Sequence, residues 1–397
     1  MLRIALALRA RGHRISFLGP EQHRPYVEQA GLAFHGVAVD EAVLDDPRLW
    51  HARHGFGVVW RATRGAAAAL LDFVDALPVS EACVLLVHPL ALPEADLCRA
   101  ARPDIRVAAA YLAPSNLPTV HDPLVMGPVS VPRWVPLASR RWLWRRVGHK
   151  LLDPVVLPGV NQARRLRGLP AVRDALGYLF QVPDLSLALF PAWFAPTQPD
   201  WPQPLLRSDF PLYDPDPEAP FSAELAAFLA HGEAPVVFTP GTGNRQAGRY
   251  FQAALQAVAR LGRRAIFLTA HENQLPDSLP ASVLWQPYVP LRKLLPECAA
   301  LVHHGGIGTT AEALLSGIPQ LVVPFAHDQF DNAARISSLG AGLTLPATRL
   351  SAARLTRRLR RLLSSRALAA GSRALSTRFA PEPGIDKVCI ALSNLPL

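Results

Sequence analysis

The sequence predicts an α/β protein built from two doubly wound halves, and three observations predict it. The chain has 397 residues, which at roughly 100 to 200 residues per domain is two domains rather than one. Short, continuously apolar runs alternate with amphipathic stretches in both halves, the pattern of parallel strands covered on both faces by helices. Proline thickens in the middle: ten prolines fall between Pro183 and Pro220, where absent amide donors and a fixed φ suit an extended connector.

The elements follow in order. LRIALALRARGH reads as a helix that turns at Gly12 into the run ISFLG (15–19). VLLVHP (84–89), VAAAYL (107–112) and LSLALF (185–190) are the further strands of the first half, with helices between them. In the second half VVFT (236–239), AIFLT (265–269), VLW (283–285), ALVH (300–303) and QLVVP (320–324) are strands, separated by amphipathic pieces such as Tyr250 to Leu261. The expected division is an N-terminal domain over 1–201, a proline-rich linker over 202–220 and a C-terminal domain over 221–397 that ends in a helical tail. In doubly wound sheets ligands sit beyond the carboxyl ends of the strands, so a two-domain version places its site in the cleft between the halves.

Composition removes several classes. With 50% hydrophobic and 18% charged residues the chain can build sizeable cores and is folded. No run of 18 apolar residues occurs, and Arg3 and Arg9 interrupt the start, so neither a membrane span nor a signal peptide is expected. Cys83, Cys98, Cys298 and Cys389 form no CxxC pair and no metal-ligand spacing with histidine, which points to a reducing cytoplasm and no bound metal. The net charge of +10 rests on 38 arginines and three lysines. That bias is compositional, and with no nucleic-acid motif a nucleic-acid partner is not expected.

The most informative stretch is VLWQPYVPLRKLLPECAALVHHGGIGTTAEALLSGIPQLVVPFAHDQFDN (283–332). Within it a strand ends at two histidines, Gly305 and Gly306 follow, and a helix is expected to begin near Thr309. Amides and a positive helix end there suit a phosphate, although a glycine turn also serves merely to turn. His304 beside that turn can donate to a diphosphate oxygen, or simply bond the backbone at a strand end. Glu312, three residues after Thr309, has capping-box spacing; it could equally accept from a ribose diol. Asp328 and Gln329 open the next helix as caps or take sugar hydroxyls. Trp285 offers a flat face for a base or a buried core ring. Thr239, Gly241, Thr242 and Gly243 form a second small-residue turn after the first strand of this half.

Taken in order, Trp285, the HHGG turn, Glu312, GIP (317–319) and DQ followed by Asn332 resemble the signature box of family 1 glycosyltransferases, two-domain GT-B enzymes that bind nucleotide sugars mainly through the C-terminal half. The resemblance implies that Trp285 stacks the base, that His304 and Thr309 hold the diphosphate, that Glu312 holds the ribose, and that Asp328 and Gln329 hold the sugar; Gly305, Gly306 and Gly308 of the same turn and Thr242 of the second turn are further candidates for nucleotide-sugar contact. It also implies no cofactor or metal beyond the dTDP- or UDP-sugar. The plant branch has Gln and Asn where this chain has Tyr288 and Gly308. DPRLW (46–50), FGVVW (56–60), LFPAWFAP with DWPQPL (189–205) and HDQFDNAAR (327–335) are similar to the rhamnosyltransferases of rhamnolipid biosynthesis. That likeness implies inverting transfer of L-rhamnose from dTDP-L-rhamnose to the hydroxyl of a 3-(3-hydroxyalkanoyloxy)alkanoate, with an acyltransferase supplying the acceptor.

Two features agree with a lipid acceptor. RWVPLASRRWLWRRVGHK (133–150) interleaves Trp134, Trp142 and Trp144 with Arg133, Arg140, Arg141, Arg145, Arg146 and Lys150, as a segment on the anionic cytoplasmic face of an inner membrane would; a solvated helix with buried tryptophans is the plainer reading. Trp50, Phe56, Trp60, Trp193 and Phe194 could line an apolar acceptor pocket, or pack the core.

Family 1 chains open with a strand and a glycine-rich loop that carries the acceptor-side base, whereas this chain opens on the following helix. The expectation is therefore a first domain short of one central strand, with the natural start about 25 to 30 codons upstream. The sequence names no general base; His13, His88 and His121 are considered only by position. A nucleotide-sugar epimerase and a non-catalytic nucleotide-sugar binder are the competing classes.

Overall fold

The computed structural model describes all residues except 52–53, 79–81, 123–124, 127–128, 133, 215–219, 380–383 and 396–397, and gives 41, 66–68 and 126 without their side chains. The strands of the first half are β1 (Ser16–Pro20), β2 (Ala33–Val37), β3 (Cys83–Val87), β4 (Ile105–Tyr111), the two-residue pieces β5 (Val125–Met126) and β6 (Val129–Ser130), β7 (Leu185–Leu189) and β8 (Leu205–Ser208). Those of the second half are β9 (Val236–Thr239), β10 (Ala265–Leu268), β11 (Val283–Gln286), β12 (Ala300–His303), β13 (Gln320–Val322) and β14 (Gly342–Thr344).

The second half forms one parallel sheet in the order β11-β10-β9-β12-β13-β14. β9 and β12 run side by side, with Thr239 opposite His303. From β9 the chain winds one way through β10 and β11, and from β12 the other way through β13 and β14. The switch point therefore lies between β9 and β12, and the crevice beyond their carboxyl ends is the place such a sheet offers a ligand. Its strands are apolar on both faces because helices cover both, as the buried Val236, Val237, Phe238, Leu301 and Val302 show.

The first half departs from a single sheet. β3-β4-β7-β8 form a parallel four-stranded sheet and β1-β2 a separate parallel pair. Between them lies an apolar slot of about 840 Å³ lined by Leu18, Val37, Leu85, Val87 and His88 among others. The first helix, Leu2–Ala10, covers the four-stranded sheet, with Ile4 packed among Ala108, Ala110 and Leu187.

Two boundaries need correcting. Leu205–Ser208, inside the expected linker 202–220, pairs in parallel with β7 as the edge strand of the first half; prolines on both sides of it leave its four amides free to pair. Residues 215–219 lie outside the described residues. The tail does not stay with the second half either. Its last helix, Ile385–Ser393, sets Val388, Cys389 and Leu392 against Ile4 and Leu187, because an amphipathic helix must bury its apolar face somewhere and the first helix presents a partner.

Candidate nucleotide-sugar site

The site is assembled from the loops after β9 and β12. The helix after β12 is Ile307–Ser316, capped by the extended backbone of Gly306, so it starts two residues earlier than expected. Gly305 takes φ +94°, and a Cβ there would press on Val322; only glycine makes this turn without strain. Thr309 lies in the first helical turn, and Gly308 beside it is exposed, so their amides are among the unpaired donors at the positive end of the helix.

The two small-residue turns meet at His304. A Cβ on Gly241, at φ +89°, would come within 2.6 Å of the His304 ring, and one on Gly306 would collide with it from the other side. The ring is thus slotted between two backbones that the sequence holds 65 positions apart. Burial pulls its pKa down to about 4, so it is a neutral imidazole at pH 7, and its Nδ1 is buried with no hydrogen-bond partner. His303, by contrast, is spent on structure: its Nδ1 accepts from the Gly305 amide at 3.2 Å, and its Nε2 meets Gln320 Oε1 at 3.0 Å. Thr242 is exposed on the neighbouring loop.

Glu312 is not part of a capping box. With the helix starting at Ile307, it points sideways to Arg292, which donates to its two oxygens at 3.1 and 3.3 Å. Burial pushes its carboxyl up while the guanidinium opposes the shift. Trp285 lies on the edge strand β11, half-buried, its indole N–H donating to the Thr269 carbonyl at 2.9 Å.

Asp328 and Gln329 divide their roles. Gln329 is buried, and its side-chain oxygen accepts from the amides of Phe325 and Ala326 at 2.8 and 3.1 Å, so it braces the loop in front of its own helix, Gln329–Ser338. Asp328 makes no cap to that helix. It accepts from Asn332 at 2.8 Å, and burial lifts its pKa to about 6. Arg292 is the neighbour that the sequence reading missed; Asn332, already in the signature box, stands one turn from Asp328, the i,i+4 spacing that signals such a pair.

The aromatic group does not form one pocket. Trp60 is core, stacked on Phe56 and packed with Val156 and Val160. Trp193 and Phe194 pack with Phe210, and Trp193 also with Phe379, in a separate cluster. Large rings of one composition scatter because each fills the nearest core. Trp50 stands at the cleft, edge-on to Phe325 and His327 of the second half. In the basic segment, Arg133 lies outside the described residues. Trp134 and Trp142 are 82% and 56% exposed, so they are not the buried tryptophans of the plainer reading, while Trp144 is half-buried. Of the histidines, His13 bonds Ser393 at 2.6 Å, His88 faces the slot, and His121 precedes Asp122 at the boundary between the halves. Among the described residues no group of three or more His, Cys, Asp or Glu side chains is placed to hold a metal, and no helix is long and apolar enough to cross a membrane.

A six-stranded doubly wound half, with a neutral histidine and a helix end at its switch point and a second parallel α/β half across the cleft, defines a two-domain nucleotide-binding protein. Comparison with known proteins specifies the class. Residues 252–395 match the family described as Erythromycin biosynthesis protein CIII-like, C-terminal domain. The chain is 30% identical to O-mycaminosyltylonolide 6-deoxyallosyltransferase of Streptomyces fradiae over 429 residues, covering 98% of this chain and 93% of that one. It is 31% identical to Glycosyltransferase GtfC of Amycolatopsis orientalis over 290 residues, 71% of this chain and 68% of the relative. In fold it resembles Spinosyn Rhamnosyltransferase SpnG, solved in complex with thymidine diphosphate, with a TM-score of 0.66 at 24% identity, covering 99% of this chain and 96% of that one. The chain belongs to the GT-B family 1 glycosyltransferases and is a glycosyltransferase.

Proposed function

We propose that the protein transfers a 6-deoxyhexose, L-rhamnose, from its dTDP-sugar to the hydroxyl of an apolar acceptor, a 3-(3-hydroxyalkanoyloxy)alkanoate, with inversion at the anomeric carbon. The observation that carries the reaction class is His304, a neutral imidazole with an unpartnered buried Nδ1 beside a helix N-terminus. As the anomeric bond breaks, negative charge gathers on the departing diphosphate. Preorganised donors aimed at that charge, the His304 ring and the amides at the start of Ile307–Ser316, stabilise it most where water is excluded. Asp328 takes sugar hydroxyls, Glu312 accepts from the ribose while Arg292 holds it in place, and Trp285 lies under the base. Binding both substrates across one cleft converts their encounter into an oriented displacement.

The donor reading is supported by a fold neighbour holding thymidine diphosphate and by the likeness of segments 46–60 and 189–205 to rhamnolipid rhamnosyltransferases. A lipid acceptor also agrees with the exposure of Trp134, Trp142, Leu143 and Leu151. They lie in a stretch, 123–152, with no acidic residue, which suits peripheral contact with an anionic membrane. A polyketide acceptor, bare or already glycosylated, is the second reading, favoured by the Streptomyces fradiae relative, whose name specifies O-mycaminosyltylonolide. Incubation with dTDP-L-rhamnose and either acceptor, followed by mass spectrometry, tests both. A rhamnosylated lipid establishes the first, a glycosylated aglycone the second, and neither product with either acceptor rejects both. Sedimentation with phosphatidylglycerol against phosphatidylcholine vesicles tests the membrane face; equal recovery with both removes it.

A further inference from the structure

His327 is the one non-glycine among the described residues with positive φ, at 56°. A left-handed backbone costs such a residue about 1 to 3 kcal/mol and persists only where its surroundings hold it. The surroundings here belong to the other half of the molecule. The His327 ring lies beside the Leu49 backbone and edge-on to Trp50 at 6.0 Å, and a Cβ on Gly55 would come within 3.0 Å of it. The same first-half segment reaches the loop after β9, where Arg245 meets Asp45 at 3.2 Å and Gln246 donates to the Asp45 carbonyl at 2.8 Å.

Two turns along from His327, Arg335 makes a second crossing. Its guanidinium meets Asp331 on its own helix at 2.8 Å, Asp122 of the first half at 2.7 Å, and donates to the Phe194 carbonyl at 3.3 Å. All three charged side chains are nearly buried. Helix Gln329–Ser338 is therefore gripped from the first half at both ends, and Asp328 stands at the gripped start.

We propose that His327 and Arg335 are positioning residues through which the acceptor-side half sets where this helix presents Asp328 to the sugar. The proposal rests on the transferase reading above. It accounts for a strained backbone kept beside Asp328: the His327 side chain reaches across the cleft while the helix begins two residues later. It also explains why the nucleotide contacts, all within the second half, are separable from the clamp.

The test uses the full chain with His327→Gly, Arg335→Lys and Asp122→Asn. Glycine adopts the left-handed backbone freely, so His327→Gly should not lower the melting temperature. Lysine keeps the charge of Arg335 but lacks the planar fork that spans two carboxylates and a carbonyl. In all three variants dTDP affinity, by calorimetry, should stay within about twofold of wild type, while kcat for transfer falls about tenfold or more and the acceptor KM rises. Wild-type kcat and KM in His327→Gly and Arg335→Lys would overturn the clamp. So would a loss of dTDP affinity that parallels the loss of kcat, since the residues would then act within the nucleotide site alone. If wild type neither transfers nor hydrolyses a dTDP-sugar, the transferase reading fails first. Small-angle scattering then judges the clamp by itself: a larger radius of gyration in His327→Gly and Asp122→Asn supports it, and unchanged curves overturn it.

Discussion

The side-chain amide of Asn332 donates to the Gly305 carbonyl at 2.9 Å and to the Asp328 carboxylate at 2.8 Å. One fully buried amide thus joins the turn proposed to face the diphosphate to the carboxylate proposed to face the sugar. Asn332→Ala leaves a buried carbonyl and a buried carboxylate without their donor, which costs about 1 to 3 kcal/mol. The expected result is a lower melting temperature together with weaker donor binding, read by calorimetry. A variant that melts lower but binds donor as wild type would confine the residue to the fold.

Gly241 and Gly243 lie two residues apart and predict opposite outcomes. A methyl on Gly241 meets the His304 ring and a φ of +89°, whereas one on Gly243 meets nothing within 4 Å. Gly241→Ala is expected to lose about tenfold or more in dTDP affinity, through strain of about 1 to 3 kcal/mol and a displaced imidazole. Gly243→Ala should bind as wild type. Similar affinities in the two variants would detach His304 from the glycine slot.

His304→Ala removes the diphosphate donor while leaving the helix that follows it. The expectation is a fall in kcat of about a hundredfold or more, the scale of deleting one preorganised donor from such a site, with an unchanged circular dichroism spectrum. Undiminished turnover would end its role. Because burial holds this imidazole near a pKa of 4, it stays neutral from pH 5 upward and should add no step to the activity profile around pH 6.5.

Asp328 should supply the step instead. Its carboxyl is lifted from 3.8 to about 6 by burial. Between those values the folded protein holds a proton that the unfolded chain has released, so this group's contribution to stability falls as pH rises through the window and is lowest above it. Asp328→Asn removes that dependence. Relative to the variant, the wild-type melting temperature should rise as pH drops from 7.5 to 5, while the wild-type donor KM worsens as the carboxylate protonates. Parallel pH curves for the two proteins would assign the titration elsewhere.

The slot between β1 and β3 predicts a stability gain. Fusing a five-residue apolar strand and a glycine-rich turn ahead of Leu2 should raise the melting temperature, since the strand pairs two open edges and buries apolar surface. No change would mean that the slot is closed by other means in solution.

Much of this was legible along the chain. Continuous apolar runs located β9 to β13 to within a residue or two, because strands buried on both faces have no polar positions to blur them. The order of HHGG, Glu312 and DQ pointed to a candidate site, and these residues lie at or beyond the carboxyl ends of those strands. β2, β5, β6, β8 and β14 were missed: Ala33–Val37 carries His35 and Gly36, Leu205–Ser208 sits among prolines, and the other three are two or three residues long, so none has the apolar period that marks a strand.

The sequence by itself determined the fold class, the donor-side half and the glycines of its turns, because these rest on local pattern: hydrophobic period, positive φ and strand-to-helix punctuation. Only the tertiary structure decided which groups are neighbours. It set His304 between Gly241 and Gly306, turned Glu312 to Arg292, sent Trp60 and Phe194 to the core and Trp50 to the cleft, and brought Asp122 to Arg335. Such contacts join positions tens to hundreds of residues apart, and side-chain packing across the cleft, not spacing along the chain, selects them.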